Sequence, residues 1–202
     1  MYKKILIPTD GSDLSVAGAA AGIKLAKSLG ASVVIVYVAP PFEVPVYVDG
    51  MADIYLTPVQ HRTSSRAYGQ FFLDLIGEVA EEMSVVCTDK IVFAASPAVA
   101  IIQAAKREHC DLIFMGSHGR GRIGALFLGS VTTRVLAGCH IPVMVHRASR
   151  EELQRAQLLS KPRATGARQR ASKGAGRQSS AASASKASTR STASAARASS
   201  SQ

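Results

Sequence analysis

Residues 116 to 133 read GSHGRGRIGALFLGSVTT, with five glycines, one histidine, two arginines and no acid, directly after the apolar run at 112–115. Backbone rich in glycine after a strand offers N–H groups with no Cβ in front of them, and a following helix adds the positive end of its dipole. Gly116 and Gly119 leave the strand, and Gly129-Ser130 opens the next helical segment. Ser130 can cap that helix or bond a phosphate through its hydroxyl, and Thr132 can reach the same place. The chemistry indicated is phosphate binding. Covalent catalysis is poorly supplied, because the adjacent side chains of Ser117 and His118 diverge and no acid is evident to orient the imidazole. No lysine follows the glycines as in a P-loop, which argues against a fast ATPase. Gly119, Gly121 and Gly124 also fit GxGxxG, but a dinucleotide fingerprint needs an acid after the next strand, and residues 141–147 contain none.

A loop of this kind must be held at the end of a strand, and the rest of the chain supplies the strands. Residues 3–8 and 31–39 are dense in Ile and Val without polar alternation, as strands buried on both faces are. Between them, Leu14, Ala17, Ala21, Leu25 and Leu29 recur at helical spacing until Gly30. Ser12 and Asp13 suit the first turn of that helix, where a cap and an acid are favourable. A strand, a helix and a parallel strand cross over right-handedly. The pattern then repeats: a loop with three prolines at 40–57, a helix at 58–83, a strand at 85–93, a helix at 97–108, a strand at 111–115, a helix at 130–137 ended by Gly138, and a strand at 141–146. Five strands alternating with four helices predict an α/β fold, a doubly wound parallel sheet covered on both faces.

Charge divides the chain. Residues 1–147 hold 13 basic and 12 acidic side chains, whereas residues 148–202 hold 11 basic and two acidic, so the basic pI belongs to the end of the sequence. Ser149 and Glu152 form a capping-box pattern for a short helix that Pro162 would end, within a linker at 148–162. Residues 163–202 contain 12 Ala, 11 Ser and eight Lys or Arg, with no acid and no aromatic, a composition too poor in apolar surface to offset ordering entropy; disorder is expected there. Cys87, Cys110 and Cys139 are odd in number and widely spaced, which suggests reduced thiols rather than disulfides or a metal site, and Cys139-His140 reads as packing before a strand. The start MYKKILIPTD is too short in apolar residues for a signal peptide, and the run at 31–39 is under half a membrane span. A soluble, cytoplasmic chain with no membrane segment is expected.

The spacing Gly, two residues, Gly, nine residues, Gly-Ser coincides with the nucleotide motif of the universal stress protein family. With glycine at about 7% of residues, it would arise by accident in about one chain in a hundred of this length. ILIPTDGS at the first strand, MGSHGRG after the fourth and CHIPVMVHR at the last strengthen the likeness, so residues 1–147 resemble an ATP-binding member of that family. The resemblance implies a Rossmann-like sheet in the order 3-2-1-4-5. Such an order reverses direction between strands 1 and 4, and ligands bind off the carboxyl ends at that switch point. By resemblance, Pro8, Thr9 and Asp10 line the adenosine side, and Val38 meets adenine through its backbone. Met115, Gly116, Gly119, Arg120, Gly129, Ser130, Val131 and Thr132 surround the ribose and phosphates of ATP, accompanied by Mg2+; Arg120 either grips phosphate or solvates the loop. The family likeness further implies a homodimer through the strand at 141–146, a regulatory role in stress resistance without a catalytic group of its own, and at most slow ATP hydrolysis. It says nothing of the basic end, which suits either weak, non-specific binding of nucleic acid or another polyanion by counterion release, or a solubilising extension, since aromatics for base stacking are absent. A nucleic-acid-associated protein and a dinucleotide-binding oxidoreductase-like domain are the alternative functions.

Overall fold

Unbroken runs of Val and Ile need cover on both faces, and the helices between them provide it. The computed structural model describes residues 1–42, 57–117 and 128–160. In chain order the elements are β1 (Lys4–Thr9), α1 (Asp13–Leu29), β2 (Ser32–Ala39), α2 (Pro58–Glu82), β3 (Cys87–Phe93), α3 (Pro97–Arg107), β4 (Leu112–Gly116), α4 (Ser130–Gly138), β5 (Val143–His146) and α5 (Arg150–Ser160). The strands form one wholly parallel sheet in the order β3-β2-β1-β4-β5, as expected. Among the described residues no helix is long and apolar enough to cross a membrane.

Alternate residues of each strand feed two separate cores. Ile5, Ile7, Ile35 and Phe114 meet Ile23 of α1 and Leu73 and Ile76 of α2 on one face. Leu6, Val34, Val36 and Ile113 meet Ile101 of α3 and Val135 of α4 on the other. Each such aliphatic side chain contributes about 1.5–3 kcal/mol by leaving water.

Local chemistry sets the helix limits. Ser12 caps α1 by accepting from the Ser15 N–H at 3.2 Å, and Gly30, at φ 64°, ends it in the left-handed conformation. Thr57 and Gln60 exchange side-chain and backbone bonds in a capping box, with Pro58 as the first residue of α2. After α2 and α3 the same left-handed turn falls to residues with side chains, Ser84 at φ 57° and His109 at φ 54°.

Two strands are shorter than the apolar runs suggest. β3 begins at Cys87 and β5 at Val143. Before β5, the Pro142 carbonyl accepts from the Ile113 N–H at 2.9 Å, but proline has no N–H to return.

Among the described residues there are five helices, not four, the fifth packed on α1 and α2. The apolar face of α5 is thin, yet Ala156 is buried and Leu153 and Ala148 pack beside it on Val16 and Ala17 of α1 and Phe72 of α2. Small residues on α1 let α5 approach closely, and the compact unit runs from Met1 to Lys161.

Candidate functional site

The β1–β4 ladder consists of Ile5 with Leu112 and Leu6 with Ile113, although the strands run on to Thr9 and Gly116. Beyond that point each strand is held by its outer neighbour: Thr9 pairs with Tyr37 of β2, and Gly116 with His146 of β5. The ends of β1 and β4 thus become two walls, at the place where strand order reverses.

The first wall is a set of linked hydroxyls. Thr9 is buried, its Oγ1 lies 2.9 Å from Ser15 Oγ, and it accepts the Gly11 N–H at 3.2 Å. Asp10 Oδ1 accepts from the Ser12 N–H at 3.0 Å and from the Ser12 hydroxyl at 2.7 Å, which fixes the carboxylate against the start of α1. Ser12 and Asp13 hold the capping and first-turn places expected of them. Gly11, between wall and helix, has φ 79°, and a Cβ there would stand 2.6 Å from the Phe72 ring. Pro8 lies in β1 opposite Val36, and half-buried Val38 pairs with Val92 one position beyond Tyr37 on the same rim.

The second wall joins β4, β5 and α4. Met115 is buried in the α3–α4 core, where half-buried Val131 also packs. The Ser117 N–H donates to the His146 carbonyl and the Gly129 N–H to the Ser117 carbonyl, each at 2.8 Å. Thr132 is buried, and its hydroxyl donates to the Gly116 carbonyl at 3.1 Å. The hydroxyl therefore secures α4 to the end of β4. Ser130 does not cap α4: the N-cap is Gly129, and Ser130 is the exposed first helical residue. A glycine N-cap has no side chain to place over the helix N-terminus, so the first-turn N–H groups of α4 are a donor set suited to an anion. From the other side α1 presses on this wall, since a Cβ at Gly18 would stand 3.3 Å from the Gly116 nitrogen.

Gly119 and Arg120 lie outside the described residues, as do His118 and Arg122. The remaining expected residues fall on the two walls or on the adjoining end of β2. Two contributors escaped the sequence reading. Ser15, which completes the hydroxyl pair with Thr9, was concealed among the small residues of α1; its signal is the position three residues after the N-cap. His146 is recognisable only from its register with Gly116. Its ring stacks on Phe114 with centroids 5.9 Å apart, and its Nε2 lies 3.2 Å from Glu152 Oε2. The Ser149 N–H bonded to Glu152 holds that carboxyl below the usual carboxylate range, with His146 adding to the effect.

The cysteines are free thiols and belong to the packing. Burial pushes Cys87 and Cys110 up to about 11, so neither offers a reactive thiolate near neutral pH. Cys139 packs against the α3–α4 core, and neighbouring His140 is exposed.

The universal stress protein family model matches residues 1–147. The chain belongs to the universal stress protein family. It is 34% identical over 154 residues to a universal stress protein of Methanocaldococcus jannaschii, covering 75% of this chain and 86% of that protein. Among solved structures, a universal stress protein family member from Arabidopsis thaliana with AMP bound superposes with a TM-score of 0.51 at 17% identity, covering 74% of this chain and 94% of that one. The universal stress protein of Archaeoglobus fulgidus in complex with dAMP superposes with a TM-score of 0.53 at 16% identity, covering 71% and 97%. At such identities the superpositions establish the fold. As a universal stress protein, the chain has its switch point between β1 and β4, and α5 lies beyond the family match.

Proposed function

We propose that the crevice between β1 and β4 binds ATP, accompanied by Mg2+, and that this member of the universal stress protein family is a nucleotide-responsive regulatory protein. The observation that carries the reading is the early end of the β1–β4 ladder beside a helix whose N-cap is glycine. Such an arrangement suits a flat base and ribose set between strand ends, with donors free of obstructing side chains for phosphate. The AMP and dAMP held by the two structural neighbours support an adenine nucleotide, and the whole Gly-x2-Gly-x9-Gly-Ser spacing supports a triphosphate. Pro8, Thr9, Asp10 and Val38 form the adenosine side. Gly116, Gly119, Arg120, Gly129 and Ser130 attend the phosphates, while Met115, Val131 and Thr132 back them. A nucleotide shifts a conformational population only by binding one state better, and a glycine-rich connection between β4 and α4 is the element to bias. Hydrolysis is expected to be slow at most, and the protein is expected to work in the cytoplasm.

Scanning calorimetry of the whole chain tests the reading. Mg-ATP at about a hundred times its Kd is expected to stabilise the fold by about 2.7 kcal/mol. Absence of any stabilisation by ATP, ADP or AMP at millimolar concentration would remove the site.

Two further elements complete the proposal. β5 is a sheet edge with Met144 exposed, and Leu136 of the adjoining α4 is exposed as well, which suits pairing with a second copy of the chain. The 11 basic and two acidic residues of 148–202 favour, as a second reading, weak and salt-dependent retention of nucleic acid or another polyanion. Retention on DNA that survives deletion of residues 149–202 would exclude that reading.

A further inference from the structure

The ends of α5 are bonded to opposite walls of the crevice. At its start, Glu152 closes a capping box with Ser149: the Ser149 N–H donates to Oε2 at 2.8 Å, and the Glu152 N–H donates to the Ser149 hydroxyl at 3.2 Å. The same Oε2 meets His146 Nε2, and His146 pairs with Gly116, the end of the second wall. At its finish, the Ser160 hydroxyl donates to Asp13 Oδ1 at 3.0 Å. Asp13 is the first residue of α1, directly after Ser12, whose N–H and hydroxyl hold Asp10 at the end of the first wall. Between these anchors Leu153 and Ala156 pack against α1 and α2, with Ala148 just before the helix.

This arrangement differs from ordinary cover for a core. The two bonded residues are eight apart, a helical span of about 12 Å, so one helix reaches from β5 to the start of α1. The β ladder no longer joins the walls at this height, because its last pair is Leu6 with Ile113. α1 bears on the second wall through Gly18, and α5 bears on the opposite side of α1 through Val16 and Ala17. Docked α5 therefore adds a tie between the start of α1 and β5, at the end of α1 that lies beyond the Gly18 and Gly22 contacts with β4.

We propose that α5 is a latch on the nucleotide crevice, with Glu152 and Ser160 as positioning residues that hold its two walls together and set how fast nucleotide leaves. The proposal rests on the nucleotide-binding reading above. It also implies that a protein cut at residue 147, the end of the family match, holds nucleotide less firmly than the whole chain.

The test uses the full chain, a fluorescent methylanthraniloyl-ATP chased with unlabelled ATP, and hydrogen exchange read by mass spectrometry. Glu152→Ala combined with Ser160→Ala is expected to speed release roughly tenfold, in line with the loss of two to three hydrogen bonds. Exchange is expected to rise at residues 9–17 and 112–117. Ser160→Ala alone should give a smaller acceleration that Ser160→Thr reverses, and Leu158→Ala, at an exposed position, should leave release unchanged. Faster exchange within α5 with unchanged release would overturn the latch. If the unsubstituted chain does not bind the probe, the nucleotide reading fails separately. Hydrogen exchange then decides the latch alone: increased exchange at both walls in the double variant upholds it, and unchanged exchange there overturns it.

Discussion

The two ends of the sheet are built from different chemistry. At the amino ends of the strands, Asp111 accepts from the backbone N–H groups of Lys3 at 2.8 Å and Lys4 at 3.0 Å, fastening β1 to β4. Near that end Glu108 takes Lys90 at 2.8 Å and Lys4 at 3.5 Å, and the Lys90 hydrogen bond is the largest influence holding its carboxyl low. At the carboxyl ends the β1–β4 ladder has stopped, and glycines and small hydroxyl residues hold the two strand ends, with the His146–Glu152 pair set to the side at β5. The pairings at the amino ends serve the fold. The carboxyl ends, where that ladder has stopped, carry the proposed site on a rigid scaffold.

Substitutions at the two ends are accordingly expected to separate stability from binding. The largest effect belongs to Gly11→Ala, where a left-handed backbone and the Phe72 ring both oppose a Cβ. A loss of about 3 kcal/mol is expected in chemical denaturation, from left-handed strain together with overpacking. Asp111→Ala is expected to cost about 2 kcal/mol by removing two charge-assisted hydrogen bonds between β4 and the start of β1, with ATP affinity unchanged in titration calorimetry. Burial raises the Asp111 carboxyl, but the Lys3 and Lys4 N–H groups outweigh it and leave the pKa below its ordinary value. Its contribution is therefore complete above the unfolded carboxylate value of about 3.9 and is lost as pH falls through the lower folded value. Stability measured from pH 5 downward should decline less in Asp111→Ala than in the parent. A steeper decline in the variant would contradict the clamp.

Thr132→Val keeps the shape and removes the bond to Gly116, with an expected loss of about 1 kcal/mol and a several-fold weaker ATP affinity as α4 loosens from β4. If affinity falls while stability holds, the hydroxyl serves phosphate instead. The smallest effect is expected at His109→Gly, remote from the crevice, where relief of φ 54° should stabilise by about 0.5–1 kcal/mol and leave binding untouched.

Much of the fold could be read from the sequence, because Ile-rich and Val-rich runs such as 31–39, too short to cross a membrane, call for cover on both faces of a sheet. Gly30 and Ser12 marked the ends of α1 through their own backbone and side-chain preferences. Ser84 and His109 gave no such signal, since tertiary packing alone imposes the left-handed turn on them. α5 showed its capping box but not its docking, which depends on Val16, Ala17 and Phe72 far away in sequence. The crevice was legible as a consequence of strand order, which brings residues 8–10 and 115–117 to one rim. The direction of the Thr132 hydroxyl and the glycine N-cap of α4 were not legible, because rotamer and helix start are decided by which carbonyl lies nearby.

The most direct measurement is calorimetric titration of Mg-ATP into the whole chain and into Gly129→Val, in enough salt to screen the basic residues of 148–202. Valine accepts the backbone found at residue 129, φ −59° and ψ 150°, so the fold is expected to persist while a side chain crowds the α4 donors. Stoichiometric binding by the parent, weakened at least about tenfold in the variant, is the predicted result. Equal binding by the two proteins, or none by the parent, would contradict a nucleotide held between β1 and β4.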